Sequence, residues 1–161
     1  SVTKNLLGNE RLLVSRVAEN QRILSVIRQA MATKPNDHEF GASMAALTIR
    51  LEALDATARR LLTRFDEGFE IGAEPSMLKL KGSQLVQDMD QLLFEITGHY
   101  GLPLDSVQRE LNDGSTSVHT PVHSADVDMV ASGMFHHRGY TIAGGTSEIQ
   151  HNIIAKQVLG L

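Results

Sequence analysis

The sequence has 161 residues and a formal net charge of −4 at pH 7. This length suits a single domain with a sizeable core, and the acidic balance argues against binding to nucleic acid or to an anionic membrane. The absence of cysteine excludes disulfides, thiol catalysis and cysteine-based zinc sites. No apolar run is long enough to cross a bilayer and the N-terminus lacks a signal-peptide core, so we predict a cytoplasmic protein without membrane insertion.

Hydrophobic periodicity predicts three long helices, over residues 4–32, 37–67 and 76–97. Apolar side chains recur at helical spacing in each of them, and prolines separate the segments. The third helix is expected to follow Pro75 and to end at Gly98. The second helix carries the clearest apolar stripe, formed by Leu47, Leu51, Leu54, Ala58, Leu61, Leu62 and Phe65.

The second part of the chain is less regular. The segment from Asp105 to His123 is polar and aperiodic, which indicates a long surface loop. A short helix is predicted over 125–137, and a final helix follows Gly145. Together these elements predict an all-α fold, an up-and-down four-helix bundle that occupies residues 1–161 as one domain.

The stretch from Gly144 to Leu161 runs from a glycine pair into that final helix. Glycine lets a ligand approach the backbone closely, and Thr146 or Ser147 can cap the helix. Such a helix N-terminus can bind an anionic or hydrogen-bond-accepting ligand, although a purely structural capped helix explains the same residues. The helix also has an apolar face to bury, formed by Ile149, Ile153, Ile154 and Val158.

Histidines are numerous, but they do not predict a metal site. No His-x-x-x-His pair with a suitably placed carboxylate occurs among them. We interpret the four in the second half of the chain as solvated or functionally silent; they are His119, His123, His136 and His137.

Four motifs, in order along the chain, closely resemble the C-terminal domain of bacterial acyl-CoA dehydrogenases. They are Leu6-Leu-Gly-Asn-Glu-Arg11, Glu74-Pro-Ser-Met-Leu-Lys-Leu-Lys-Gly-Ser83, Gly98-His-Tyr-Gly-Leu-Pro103 and the stretch from Gly144 to Leu161. The resemblance implies the four-helix domain of this family, without its N-terminal helical and middle β-domains. It also implies the family's reaction, in which α-proton abstraction and hydride transfer to FAD convert an acyl-CoA thioester into a 2-enoyl-CoA, as in fatty acid β-oxidation.

The resemblance implies a catalytic base as well. Many family members carry a Glu directly before the Gly-Thr of the terminal motif, and here that position is Gly144. A second group places the base on the first helix of the domain in a Glu-Arg-Leu context, which Glu10-Arg11-Leu12 matches. Glu10 is therefore the predicted base, with Arg11 orienting the substrate. An ordinary solvated Glu-Arg pair on a helix surface would have the same sequence.

The family's FAD contacts correspond to residues in three parts of this chain. The family pattern Arg-x-x-Phe-Gly, which reaches the FAD phosphates, has Asp37 in place of Arg, and a Gln of the family corresponds to Glu95. Both replacements are acidic and put the contact with the pyrophosphate in doubt; one alternative is that a partner subunit contributes. The predicted cofactor-binding residues are Phe40, Gly98, Gly145, Thr146, Ser147 and Glu148.

A second hypothesis is a non-catalytic helical assembly module, or a partner subunit of a hetero-oligomeric dehydrogenase. Glu10 favours the enzyme because it supplies a candidate base. Asp37 and Glu95 favour the module because acidic residues weaken the contact with the FAD pyrophosphate. The resemblance implies a homo- or hetero-oligomer, a dimer or tetramer, that passes electrons to an electron-transfer flavoprotein. By itself the chain is expected neither to hold FAD tightly nor to turn over acyl-CoA, because the family's β-domain normally covers the flavin.

Overall fold

The computed structural model describes residues 15–32, 34, 37–101 and 130–160, and α-helices dominate all of the longer ranges. The α-helices are α1 (Val17–Met31), α2 (His38–Asp66), α3 (Glu74–Thr97), α4 (Val130–Arg138) and α5 (Ser147–Ile154). Short 3-10 turns at Gly98–Gly101 and Gly139–Thr141 follow α3 and α4, and a π-helix at Ala155–Leu159 continues α5. The described ranges contain no strand, and the predicted all-α class is confirmed.

Local chemistry explains where the helices begin and end. The Asp37 side chain accepts a hydrogen bond from the Phe40 backbone N–H at 3.1 Å, which caps α2. Pro75 lies in the first turn of α3, where its missing N–H costs nothing. Gly98 ends α3 with a positive φ of 57°. The predicted bounds of α2 and α3 therefore agree with the structure to within two residues.

Helices α1 and α3 run parallel, side by side. Near the start of both, the Asn20 amide donates a hydrogen bond to the carbonyl of Gly82 at 3.3 Å. At the other end, Lys34 donates to the carbonyl of Ile96 at 2.6 Å. Two contacts in the same order along both helices show the common direction.

Helix α2 runs antiparallel to α3. Arg50 pairs with Asp88 at 2.7 Å, and Arg64, further along α2, lies 3.7 Å from Glu74 at the start of α3. Helix α4 also packs against α3. The result is the predicted up-and-down bundle, with α5 added at one end.

Helix α3 is the centre of the bundle, because it contacts each of the other four helices. Its predicted apolar face is buried, as is a further stripe that the sequence did not reveal as core. That stripe comprises Lys79, Ser83, Val86 and Asp90. A helix surrounded on several sides buries more than one face, so polar residues enter the interior.

The prediction of one continuous helix over 4–32 is wrong at its middle. Ser15 and Arg16 form a turn, Arg16 has a φ of 56°, and α1 begins at Val17. The turn lies directly against α3, where a Cβ on Gly82 would overlap the carbonyl of Ser15. Close packing on α3 thus accompanies a turn that the periodicity did not predict.

The prediction that α5 buries an apolar face holds only in part, because Ile153 and Ile154 are half-buried and the other two residues of the face are exposed. Ile149 is 51% exposed and Val158 is 66% exposed, whereas the buried residue of α5 is the polar Gln150. The predicted helix over 125–137 corresponds to α4, of which Val130–Arg138 is described. The predicted loop from Asp105 to His123 lies outside the described residues. No helix in the described ranges is long and apolar enough to span a membrane.

Candidate functional site

The turn that precedes α5 has a left-handed backbone conformation at two successive glycines. Gly144 and Gly145 have φ values of 71° and 98°, in the region that residues with a Cβ rarely adopt. Thr146 then caps α5, because its hydroxyl accepts a hydrogen bond from the Ile149 N–H at 3.3 Å. Of the two predicted caps, Thr146 rather than Ser147 has this role.

Two side chains hold the turn from inside the bundle. The Lys79 ammonium, on α3, donates to the carbonyl of Gly145 at 2.7 Å and to that of Thr141 at 3.1 Å. The Gln150 amide, on α5, donates to the carbonyl of Gly144 at 3.1 Å. Lys79 is only 3% exposed. Both glycine carbonyls are therefore satisfied by buried donors.

Charges of opposite sign flank the turn. Burial lowers the pKa of the Lys79 ammonium, the carboxylate of Glu148 partly offsets this, and the nearby Arg16 guanidinium adds to the lowering. The pKa of the exposed Glu148 is lowered by hydrogen bonds from its own backbone N–H and from the Thr146 hydroxyl. A buried cation thus lies beneath the turn, and a stabilised carboxylate lies in the solvent-exposed first turn of α5.

The turn suits a ligand that accepts hydrogen bonds. The first N–H groups of an α-helix have no partner within the helix, and the macrodipole adds positive potential there. No Cβ at Gly144 or Gly145 obstructs the approach to this backbone. This backbone can therefore donate hydrogen bonds to the acceptor atoms of a ligand that lies against the turn.

The structure places the other two predicted cofactor residues at the opposite end of the bundle. Lys34 lies close to both of them. Its ammonium is 5.5 Å from the centre of the Phe40 ring. The same ammonium donates a hydrogen bond to the carbonyl of Ile96, two residues before Gly98. Lys79 and Ile96 are 17 residues apart on α3, which corresponds to about 25 Å at 1.5 Å per residue. Phe40 and Gly98 are therefore not part of the turn's site within one chain.

The end of the bundle that carries Phe40 and Gly98 does not fit a pyrophosphate well. The carboxylate of Asp37 is used as the cap of α2, and the exposed Glu95 accepts a hydrogen bond from Gln91 at 2.8 Å. Lys34 is the cation beside them, and the Ile96 carbonyl already engages its ammonium. Two carboxylates near a dianionic group are unfavourable.

The predicted base Glu10 and the predicted substrate contact Arg11 lie outside the described residues, as do His119 and His123. The nearest described part of the chain is the turn at Ser15 and Arg16. The Arg16 guanidinium lies 3.9 Å from the centre of the Tyr140 ring, one residue before Thr141. The segment that follows Glu10 and Arg11 thus ends close to the turn held by Lys79.

Of the two alternatives given for His137, the solvated side chain is wrong. Its side chain is buried, with Nδ1 2.8 Å from Asp90 and Nε2 3.3 Å from Glu19. Both ring nitrogens can donate to these carboxylates only when the imidazole is protonated. His137 thereby connects α4 to α1 and α3, whereas His136 is exposed. Within the described ranges, no group of three His, Asp or Glu side chains could hold a metal ion.

Sequence reasoning missed Lys79, Gln150 and the pair formed by Asp90 and His137. The sequence of α3 does contain a pattern that indicates Lys79 and Asp90. These two residues, with Ser83 and Val86 between them, follow one another at spacings of four, three and four residues. This places them on one helix face. Charged residues that share a face with buried apolar ones need partners. The partners themselves lie far away in sequence, so the pattern does not identify them.

The family profile described as "Acyl-CoA dehydrogenase, C-terminal domain" matches residues 1–159. The chain belongs to this family. Among solved structures, a variant of the steroid acyl-CoA dehydrogenase Tcur3481-Tcur3483 has the same fold, with a TM-score of 0.70 and 17% sequence identity over 99% of this chain. This acyl-CoA dehydrogenase domain spans 39% of the length of that chain. Among curated proteins, none matches by sequence.

Proposed function

We propose that this chain is the C-terminal domain of an FAD-dependent acyl-CoA dehydrogenase that converts acyl-CoA into 2-enoyl-CoA. The observation that carries the proposal is the Gly144–Gly145 turn, held rigidly by Lys79 and Gln150 at the start of α5. Rigid backbone donors are what a flavin ring needs on one of its edges. The membership of the chain in the family supports the same function.

The turn residues would hold the flavin. Gly145 and Thr146 offer backbone N–H groups, while Ser147 and Glu148 occupy the first turn of α5, where the helix macrodipole adds positive potential. When bound, FAD supplies the acceptor for the hydride that leaves Cβ of the substrate. The residues of this chain contribute orientation and a positive local potential, which favours electron-rich acceptor atoms.

Glu10 is the proposed base that removes the α-proton, and Arg11 the proposed contact that orients the acyl-CoA. A carboxylate suits this step when its surroundings raise its pKa toward the working pH. The proposal rests on the Glu-Arg-Leu context and on the absence of a carboxylate at position 144. Gly144 has a positive φ and no side chain, so the turn itself supplies no base.

The variant Glu10→Gln in the natural protein that contains this chain tests the assignment. We expect the rate of dye reduction with an acyl-CoA to fall at least about a hundredfold, because the amide cannot accept the proton. The visible flavin absorbance of the purified protein should stay unchanged. Glu52→Gln is the matched control, since Glu52 is exposed on α2. Near-normal turnover of Glu10→Gln would remove this residue from the role.

A second candidate function is that of a partner subunit or assembly module that contributes few contacts to a flavin. Asp37 and Glu95 favour it, because they make the Phe40 end of the bundle acidic. The flavin content of the purified protein separates the two functions. About one FAD per chain supports the enzyme, and colourless protein that assembles with a flavin-binding partner supports the module.

The proposed physiological partners follow from the same function. An acyl-CoA thioester is the substrate, and an electron-transfer flavoprotein in the cytoplasm receives the electrons. The exposed apolar side chains of α5, including Ile149 and Val158, support assembly into a homo- or hetero-oligomer. A panel of straight-chain, aromatic and steroid-derived acyl-CoA thioesters would identify the preferred acyl group.

A further inference from the structure

We infer that Lys79 is a positioning residue for the proposed flavin site, and that it aims the backbone N–H of Thr146 at the flavin. This inference rests on the proposed function for the identity of the ligand. Lys79 lies on α3, outside the motif that forms the turn, and its ammonium reaches the carbonyl of Gly145, 66 residues further along the chain. No contact between Lys79 and the flavin is required.

The geometry of the peptide bond carries the argument. In a trans peptide the C=O and the N–H point in opposite directions, and the chain has no cis peptide among its described residues. The carbonyl of Gly145 points toward the buried Lys79 ammonium. The N–H of Thr146 belongs to the same peptide and must therefore point away from the core. Gln150 acts in the same way on the preceding peptide, which contains the Gly145 N–H.

Lys79 also fixes the turn from its other side. Its second hydrogen bond goes to the carbonyl of Thr141, so one buried ammonium joins both ends of the turn. The glycines between these points have a wide choice of backbone conformations. Without a donor at this position, the peptide that joins Gly145 and Thr146 is free to rotate. A charged donor is suited to this role because its hydrogen bonds to carbonyls are stronger than neutral ones.

The variants Lys79→Met and Lys81→Met test the inference in the natural protein. Methionine keeps an unbranched side chain of similar size but cannot donate, and Lys81 is an exposed lysine two residues away on α3. Four quantities are measured: exchange of the hydrogen-bonded amides of residues 142–150, the dissociation constant of FAD, and the visible spectrum and reduction potential of the bound flavin. Exchange in α2 serves as an internal reference.

For Lys79→Met we expect at least about tenfold faster exchange at the hydrogen-bonded amides of residues 142–150, because two charge-assisted hydrogen bonds that hold the turn are lost. The dissociation constant of FAD should rise about tenfold or more, and the spectrum and potential should shift. Lys81→Met should change none of these. If Lys79→Met does not fold, Lys79→Arg takes its place, because the planar guanidinium cannot reproduce both bonds.

The possible failures have different signatures. Unchanged exchange at the hydrogen-bonded amides of residues 142–150 shows that Lys79 does not hold the turn and overturns the inference. Faster exchange with an unchanged flavin spectrum and affinity shows that the turn does not face the flavin, and it overturns the inference while leaving the dehydrogenase function intact. A wild-type protein that binds no flavin, even with added FAD, overturns the proposed function and with it the role assigned to Lys79.

Discussion

Gly144 and Gly145 both have positive φ values, but their surroundings differ. A Cβ on Gly144 would meet no atom within 4 Å. A Cβ on Gly145 would lie 2.7 Å from the Gln150 amide nitrogen, the atom that binds the Gly144 carbonyl. At the scale of single residues, the turn therefore needs Gly144 only for its positive φ. It needs Gly145 both for its positive φ and because a Cβ there would collide with the Gln150 side chain.

Alanine substitutions should separate these two requirements. Gly144→Ala should cost about 1 kcal/mol from the left-handed conformation alone. Gly145→Ala should cost about 2 kcal/mol, because the Gln150 amide must also move and its hydrogen bond is lost. Thermal unfolding of the two variants measures the difference, and Gly145→Ala should have the lower Tm by about 2–4 °C. Equal values of Tm would mean that Gln150 moves aside without losing its hydrogen bond.

At the scale of the helices, the contact between α1 and α3 depends on a third glycine. The turn at Ser15 and Arg16 approaches Gly82 so closely that a Cβ there would overlap the Ser15 carbonyl. The Asn20 amide adds hydrogen bonds to the carbonyls of Arg16 and Gly82. The turn at Ser15 and Arg16, directly before α1, is thus placed against the centre of the bundle.

Gly82→Ala should therefore push α1 away from α3. We expect a loss of about 3 kcal/mol, since the obstructing atom is backbone and cannot rotate away. Gly41→Ala is the matched control, because Gly41 lies in α2 with nothing within 4 Å of the added Cβ. That variant should be stabilised by about 0.5–1 kcal/mol through its higher helix propensity. Urea unfolding followed by circular dichroism measures both, and a small effect at Gly82 would contradict the tight packing.

At the scale of the whole molecule, the C-terminal helix leaves apolar side chains uncovered by the described residues. Val158 and Leu159 are 66% and 67% exposed, and a cavity of about 350 Å³ lies between Val158, Ile154 and Met77. Exposed apolar surface of this kind marks contacts with another part of a protein or with another subunit. The chain spans only 39% of the length of its structural relative.

The variant Val158→Glu should weaken assembly of the natural protein without unfolding this domain. A charge cannot be buried at an apolar contact without a partner, so the interface loses affinity. Asn152→Asp is the control, because it adds the same charge at an exposed residue of α5 that does not line this cavity, without removing an apolar side chain. Light scattering should show a lower mass for Val158→Glu at an unchanged helix content. The same mass for both variants would place the assembly surface elsewhere.

Local patterns in the sequence were sufficient for the bounds of α2 and α3, for the cap of α5 and for the family. Apolar spacing predicted α2 and α3 to within two residues, and Thr146 was one of two predicted caps, because these features depend on neighbours a few residues away. The terminal motif, together with three earlier ones, indicated the family. Glu10 and Arg11 stay predictions, because both were assigned by resemblance and lie outside the described residues.

Only the tertiary structure revealed what holds the site together. Lys79 meets Gly145 across 66 residues, and His137 meets Asp90 across 47. The same structure separated Phe40 and Gly98 from the glycine turn and left part of the apolar face of α5 exposed. Periodicity records which face of a helix is apolar, but it does not record which helices become neighbours. That choice depends on how the whole chain packs, and it places a buried lysine beneath the turn.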